Sequence, residues 1–119
     1  MTSGYGRIAL GLGGLIGGAG VALAAAASHV GDEHLLGAAS TICLAHGPAL
    51  LALGLHGLPT RVLRVAATLL GVGTLLFVGD LITRYFTGSG LFPGAAPIGG
   101  VGLIGGWIAI VFASFLNTK

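Results

Sequence analysis

The sequence has little charge of either sign. Of its 119 residues, five are Lys or Arg and three are Asp or Glu, so charged residues make up 7%. A soluble domain carries about 25% charged residues, which means that this chain cannot cover a water-exposed surface. The net charge of +2 comes without a basic cluster, and we therefore expect no nucleic-acid partner.

Cysteine is also scarce, since Cys43 is the only one. A single cysteine excludes a disulfide within the chain. Cys43 and His46 offer a metal ion only two soft ligands, which do not fill a tetrahedral shell. No nucleophile–base pair and no pair of acids is visible in the sequence. We therefore expect no metal, no other cofactor and no enzymatic activity.

Apolar residues, in contrast, are abundant at 55%, and the mean hydropathy is +1.03. Four apolar stretches reach the roughly 20 residues that a helix needs to cross a bilayer. Short connections between consecutive helices favour antiparallel neighbours. The sequence therefore predicts an all-α integral membrane protein: a single domain over 1–119, folded as an antiparallel four-helix transmembrane bundle. The predicted spans are about 7–28, 35–58, 62–83 and 97–116.

The arginines and the lysine predict an orientation. With four spans, Arg7, Arg61, Arg64 and Lys119 fall on one side of the membrane, and Arg84 falls on the other. Loops rich in Lys and Arg stay in the cytoplasm. We therefore expect both termini to be cytoplasmic and the protein to lie in the bacterial inner membrane.

Glycine is unusually frequent, with 24 residues, of which the first and fourth predicted spans hold eleven. Small residues let membrane helices approach closely where lipid supplies no hydrophobic drive for association. The spacing predicts close-packing faces, within the chain or between chains. The residues concerned are Gly13, Gly14, Gly17, Gly18, Gly99, Gly102 and Gly106.

The third and fourth spans carry a family resemblance. "GTLLFVGDL" begins at Gly73 and "PIGGVGLIGGW" begins at Pro97. These two segments resemble motifs of the domain of unknown function 423 family, which are small four-span bacterial membrane proteins related to transmembrane protein 256. In the first half, "ASHVG" and "LAHGPALLALG" are similar to segments that hold the family's two histidines, here His29 and His46. Asp80 stands where the family usually has serine. The resemblance implies the four-span fold and no particular activity.

His46 is the ionisable residue deepest in a predicted span. An ionisable group in the hydrocarbon region is costly and marks a candidate site. The next two residues, Gly47 and Pro48, predict a helix bend, because proline leaves the Leu44 carbonyl without a donor. We expect a hydrogen-bonded structural histidine, with Thr74 of the third span as a partner. A proton relay or a ligand contact is the alternative.

Asp80 and Arg84 form the second candidate group. Their i, i+4 spacing places them on one helix face with the acid first, which is the better order for an ion pair. We expect a local pair at the outer rim of the membrane. The alternative adds four residues of the first loop, which together would bind a cation or the basic group of a partner: His29, Asp32, Glu33 and His34.

Two functions follow from these features. The first is a non-catalytic accessory or oligomer-forming membrane subunit, in contact with lipid and with itself or other membrane proteins. It depends on the glycine faces and on the absence of a catalytic set. The second is a small transporter or channel, in which His46, Asp80 and Arg84 would carry the transport. No acid lies in the first span to play the part that an embedded glutamate plays in small drug exporters.

Overall fold

The structure is a computed structural model that describes residues 4–116. Within this range the chain forms four α-helices and no strand. All four are long and apolar enough to cross a membrane, which confirms the predicted four-span all-α fold. Lys119, which counts toward the predicted orientation, lies outside the described residues. The helices are α1 (Gly4–Val30), α2 (Leu36–His56), α3 (Arg61–Thr87) and α4 (Ala95–Ser114).

The helix ends follow from local residue chemistry. Thr60 caps α3, because its hydroxyl accepts the Leu63 N–H at 3.3 Å. Gly57 ends α2 and Gly88 ends α3, both at φ values in the left-handed region (95° and 83°) that glycine adopts without strain. The capping hydroxyl and the two terminal glycines therefore set where α2 ends and where α3 begins and ends.

The bundle consists of two tightly packed hairpins. α1 packs along α2, and α4 packs along α3; the two hairpins meet mainly where α2 contacts α3. α1 contacts α3 only slightly, and within residues 4–116 its backbone does not come close to α4. In the same range, the backbones of α2 and α4 do not come close to each other either. Beside the few contacts between α1 and α3 lies an opening, with Leu50 of α2 behind it.

Glycine residues lie where the two helices of each hairpin approach each other closely. A Cβ added to Gly47 would lie 2.7 Å from the Gly17 Cα, and one added to Gly13 would lie 2.8 Å from the Gly47 carbonyl oxygen. In the second hairpin, a Cβ on Gly99 would lie 2.9 Å from the Gly73 carbonyl oxygen. Real Cβ atoms cannot occupy these positions, so any larger residue would push the helices apart.

The remaining predicted packing glycines divide into two groups. A Cβ on Gly106 would lie 2.7 Å from Leu70 of α3, and one on Gly102 would lie 3.8 Å from the Gly73 Cα. Gly14 and Gly18 are different, because a Cβ on either would meet nothing within 4 Å. Successive helix positions are about 100° apart, so the residue that follows Gly13 leaves the α2 contact. Gly14 and Gly18 point outward from α1.

Candidate functional site

His46 is buried inside α2 and is only 6% exposed. α2 runs without interruption from Leu36 to His56, through Gly47 and Pro48. The bend at these two residues stays a prediction, whereas Gly47 has a clear packing reason, since its missing side chain admits α1. His46 therefore lies on a continuous helix in the interior of the bundle.

Both ring nitrogens of His46 have partners. Nδ1 lies 2.8 Å from the carbonyl oxygen of Ile42, and the indole Nε1 of Trp107 donates to Nε2 at 3.0 Å. A carbonyl can only accept and an indole N–H can only donate. The partners therefore assign a neutral imidazole that carries its proton on Nδ1 and accepts at Nε2.

Trp107 reaches His46 from α4 and connects the two hairpins. The two rings meet edge to face, with centroids 5.6 Å apart and planes inclined by 60°. The indole ring is partly exposed on the outer surface and covers the histidine. The sequence analysis did not pair Trp107 with His46. The available signal was the indole N–H, which needs an acceptor when it lies in an apolar environment.

The expected partnership between His46 and Thr74 is wrong. Thr74 is 1% exposed, and its Oγ1 has no hydrogen-bond partner among the described residues. It lines a cavity of about 250 Å³ together with Leu15, Ile16 and Cys43. Thr74 therefore lies on the α3 side that faces α1, whereas His46 is approached from the α4 side.

Asp80 is fully buried near the end of α3. Its Oδ1 accepts the Leu91 N–H at 2.8 Å, and its Oδ2 lies 3.3 Å from Arg84 Nη2. The expected Asp80–Arg84 pair is thus present, with the arginine side chain 45% exposed and the acid enclosed. A Cβ on Gly90 would overlap with Asp80 Oδ1. The carboxylate therefore holds the α3–α4 connection against the end of α3, and this connection needs a glycine at position 90.

The residues of the first loop do not gather around Asp80. The Asp32 carboxylate instead accepts the backbone N–H groups of Leu35 and Leu36, at 2.8 Å and 3.4 Å. Asp32 therefore satisfies backbone N–H groups just before and at the first residue of α2, although Leu35 is the N-cap residue. His29 is exposed at the end of α1. Within residues 4–116, no group of three His, Cys, Asp or Glu side chains could hold a metal ion.

The geometry limits what these groups can do chemically. A proton relay needs partners that give up and take up protons, whereas His46 meets a backbone carbonyl and an indole N–H, neither of which exchanges its proton readily. Neither His46 nor Asp80 lines any of five cavities of about 210–410 Å³ in residues 4–116. In the described conformation, His46 joins α4 to α2, and Asp80 joins a loop to α3.

Fold and site together define a small four-span membrane protein in which the buried side chains of His46 and Asp80 are hydrogen-bonded within the chain. The sequence model of the family described as Protein of unknown function (DUF423) matches residues 23–100. This is more than half of the chain, and the protein belongs to that family. The match includes His29, His46, Asp80 and Arg84, and it ends before Trp107. A search of curated proteins and a search of solved structures each found no match.

Proposed function

We propose that this protein is a non-catalytic membrane subunit that assembles with another transmembrane helix through the outward face of α1. The partner helix belongs to a second copy of the chain or to another membrane protein. The observation that carries the proposal is a stripe of small, exposed residues along α1. The stripe consists of Gly11, Gly14, Gly18, Ala22 and Ala25.

The stripe lies opposite the face that α1 buries against α2. Its members recur at steps of three and four residues, which keeps them on one side of a helix. A Cβ on Gly11, Gly14 or Gly18 would meet nothing within 4 Å. Large apolar residues, including the highly exposed Ile8 and Leu15, flank the stripe. A shallow channel bordered by larger side chains is the shape that lets a second membrane helix approach closely.

The engaged polar groups support a structural role over a catalytic or transporting one. Asp80 and both nitrogens of His46 have partners within the chain. A transport or catalytic cycle would first have to break these hydrogen bonds. A subunit that acts by packing needs them intact, because they fix the relative position of its helices.

We further propose that both termini face the cytoplasm in a bacterial inner membrane. Arg7, Arg61 and Arg64 lie at one end of the bundle, and Arg84 lies at the other. Positively charged loops are retained on the cytoplasmic side. A reporter that is active only in the cytoplasm should therefore work when it is fused to the C-terminus, and a reporter that requires export should be inactive there.

Purification from native membranes tests the assembly. The wild-type chain of 11.6 kDa should appear by native mass spectrometry in a complex with a second copy or another protein. Gly14→Leu should release the monomer without lowering its melting temperature, because the added side chain has open space within the chain. Ala52→Leu is the matched control: it enlarges an exposed small residue on α2 and should keep the complex. A wild-type protein that purifies alone, or a Gly14→Leu variant that stays assembled, would contradict the proposal.

A further inference from the structure

The opening between α1 and α3 forms an apolar groove. We call the α1–α3 groove the cavity of about 210 Å³ that is lined mainly by Ile8, Leu12, Leu50, Gly71, Val72 and Leu75. Ile8, Val72 and Leu75 are each more than half exposed, so the groove opens sideways toward the lipid. Leu50 of α2 forms its floor. The groove exists because α1 packs on α2 and α4 packs on α3, which leaves α1 and α3 apart.

One end of the groove is strongly basic. A neighbouring cavity of about 370 Å³ is lined by Arg61 and Arg64. Tyr5, Arg64 and Thr68 line both cavities, so the two adjoin each other. Arg64 is held in place, since its Nε donates to the Leu58 carbonyl oxygen at 3.0 Å and its guanidinium lies 4.5 Å from the centre of the Tyr5 ring. Its terminal amino groups have no partner in the described part of the chain.

The chain provides no side-chain carboxylate for these arginines. Its three acids are Asp32, Glu33 and Asp80, and all of them lie at the opposite end of the bundle. The side chain of Arg61, the first residue of α3, makes no hydrogen bond or ion pair within residues 4–116. The basic end of the groove is therefore complementary to an anion that comes from outside the protein.

We infer that the α1–α3 groove binds an anionic phospholipid, with one acyl chain along the groove and the phosphate at Arg61 and Arg64. The dimensions fit. From Arg64 to Leu75 the helix rises about 16 Å at 1.5 Å per residue, and one leaflet contributes about 15 Å of a hydrocarbon core that is roughly 30 Å thick. Basic pockets between transmembrane helices are suited to lipid phosphates, and guanidinium groups bind phosphate through two parallel hydrogen bonds.

Native mass spectrometry with added phosphatidylglycerol or phosphatidylcholine tests this inference. The wild-type protein should retain one phosphatidylglycerol, and phosphatidylcholine should bind more weakly. Arg61→Gln should weaken phosphatidylglycerol binding about fivefold, the factor that corresponds to about 1 kcal/mol per basic residue at an anionic membrane surface. Arg7→Gln is the matched control: it removes the same charge at the same end of the bundle but outside both cavities, and it should leave binding unchanged.

A second variant tests the groove itself. Ala67→Phe places a ring in the groove, because Ala67 is one of its lining residues, and it should reduce retention of the lipid at least fivefold. Ala52→Phe, exposed on α2, should not. Circular dichroism of each variant confirms that the bundle is folded, and Arg61→Gln keeps the test independent of any folding defect in Ala67→Phe.

Several outcomes would overturn the inference. One is equal retention of the two lipids, and another is an equal loss of binding in Arg7→Gln and Arg61→Gln. Inorganic phosphate that stabilises the protein as much as phosphatidylglycerol does would show an anion site without an acyl chain. A dimer that Ala67→Phe dissociates would show that a second copy fills the groove in place of lipid.

Discussion

The hydrogen bond between Trp107 and His46 can be tested by removing its donor. Trp107→Phe keeps an aromatic ring over the imidazole but leaves the buried Nε2 atom without a donor. A buried acceptor that loses its partner costs about 1–3 kcal/mol, although hydrogen bonds between membrane helices average about 0.6 kcal/mol and reach about 1.7 kcal/mol. Since His46 is only 6% exposed and little solvent can replace the indole, we expect a loss of about 1–2 kcal/mol in the free energy of unfolding.

A double-mutant cycle separates the hydrogen bond from the packing of the indole. His46→Leu removes the acceptor, so Trp107→Phe should cost less in that background than in the wild type. We expect a coupling energy of about 1 kcal/mol. Denaturation by SDS in mixed micelles, followed by far-UV circular dichroism, measures all four proteins. Fluorescence cannot be used, because Trp107 is the only tryptophan of the chain.

One result of the double-mutant cycle would contradict the Trp107–His46 hydrogen bond. Distant, independent sites add within about 0.3–0.5 kcal/mol, so a coupling energy below this range would refute the proposed hydrogen bond. Ile108→Val serves as the control, because Ile108 neighbours Trp107 in sequence but is exposed. Its coupling to His46→Leu should be close to zero.

Two further predictions concern the loop contact and the glycine faces. Asp80→Ala should destabilise the protein by about 1.5–3 kcal/mol, the usual contribution of a hydrogen bond to a charged group. Asp80→Asn should lose less stability, because an amide oxygen can still accept the Leu91 N–H. Equal melting temperatures for the two variants would contradict this expectation. Gly47→Ala should cost about 1–3 kcal/mol through overpacking against Gly17, whereas Gly18→Ala should be neutral or stabilise the monomer by up to about 1 kcal/mol through helix propensity. Thermal unfolding in detergent checks both comparisons, and a Gly47→Ala variant as stable as Gly18→Ala would show that the close approach to α1 is absent.

The four helices could be predicted because bilayer length and hydropathy are local properties of the sequence. The helix ends were predicted less well. α3 was expected to end near position 83 and continues to Thr87, since Gly88 is the residue that stops it. The Asp80–Arg84 pair could also be predicted, because i, i+4 spacing on a helix places the two side chains together. The second partner of Asp80, the backbone N–H of Leu91, could not be predicted, because Leu91 belongs to an irregular loop.

The pairing of His46 with Trp107 could not be predicted from the sequence, for a different reason. The two residues are 61 positions apart and lie on helices that do not follow each other in the chain. Whether they meet depends on how far α4 is rotated about α3, and the glycine contacts near Gly99 and Gly106 set that rotation. Thr74 could be proposed as a partner only from its depth in the membrane, which carries no information about the direction in which its side chain points.

The two hairpins differ in how their outer helices contact the rest of the bundle, and this difference connects the proposals. α4 reaches back to α2 through the Trp107–His46 hydrogen bond, which closes one side of the molecule. α1 meets α3 through contacts such as Tyr5 with Arg64 and Leu12 with Gly71, and the α1–α3 groove stays open beside them. The outward stripe around Gly14 lies on the same helix, on the face away from α2. α1 therefore presents two uncovered surfaces, one suited to a lipid chain and one suited to a partner helix. A lipid bound in the groove would stabilise the position of α1, the helix that makes the assembly contact.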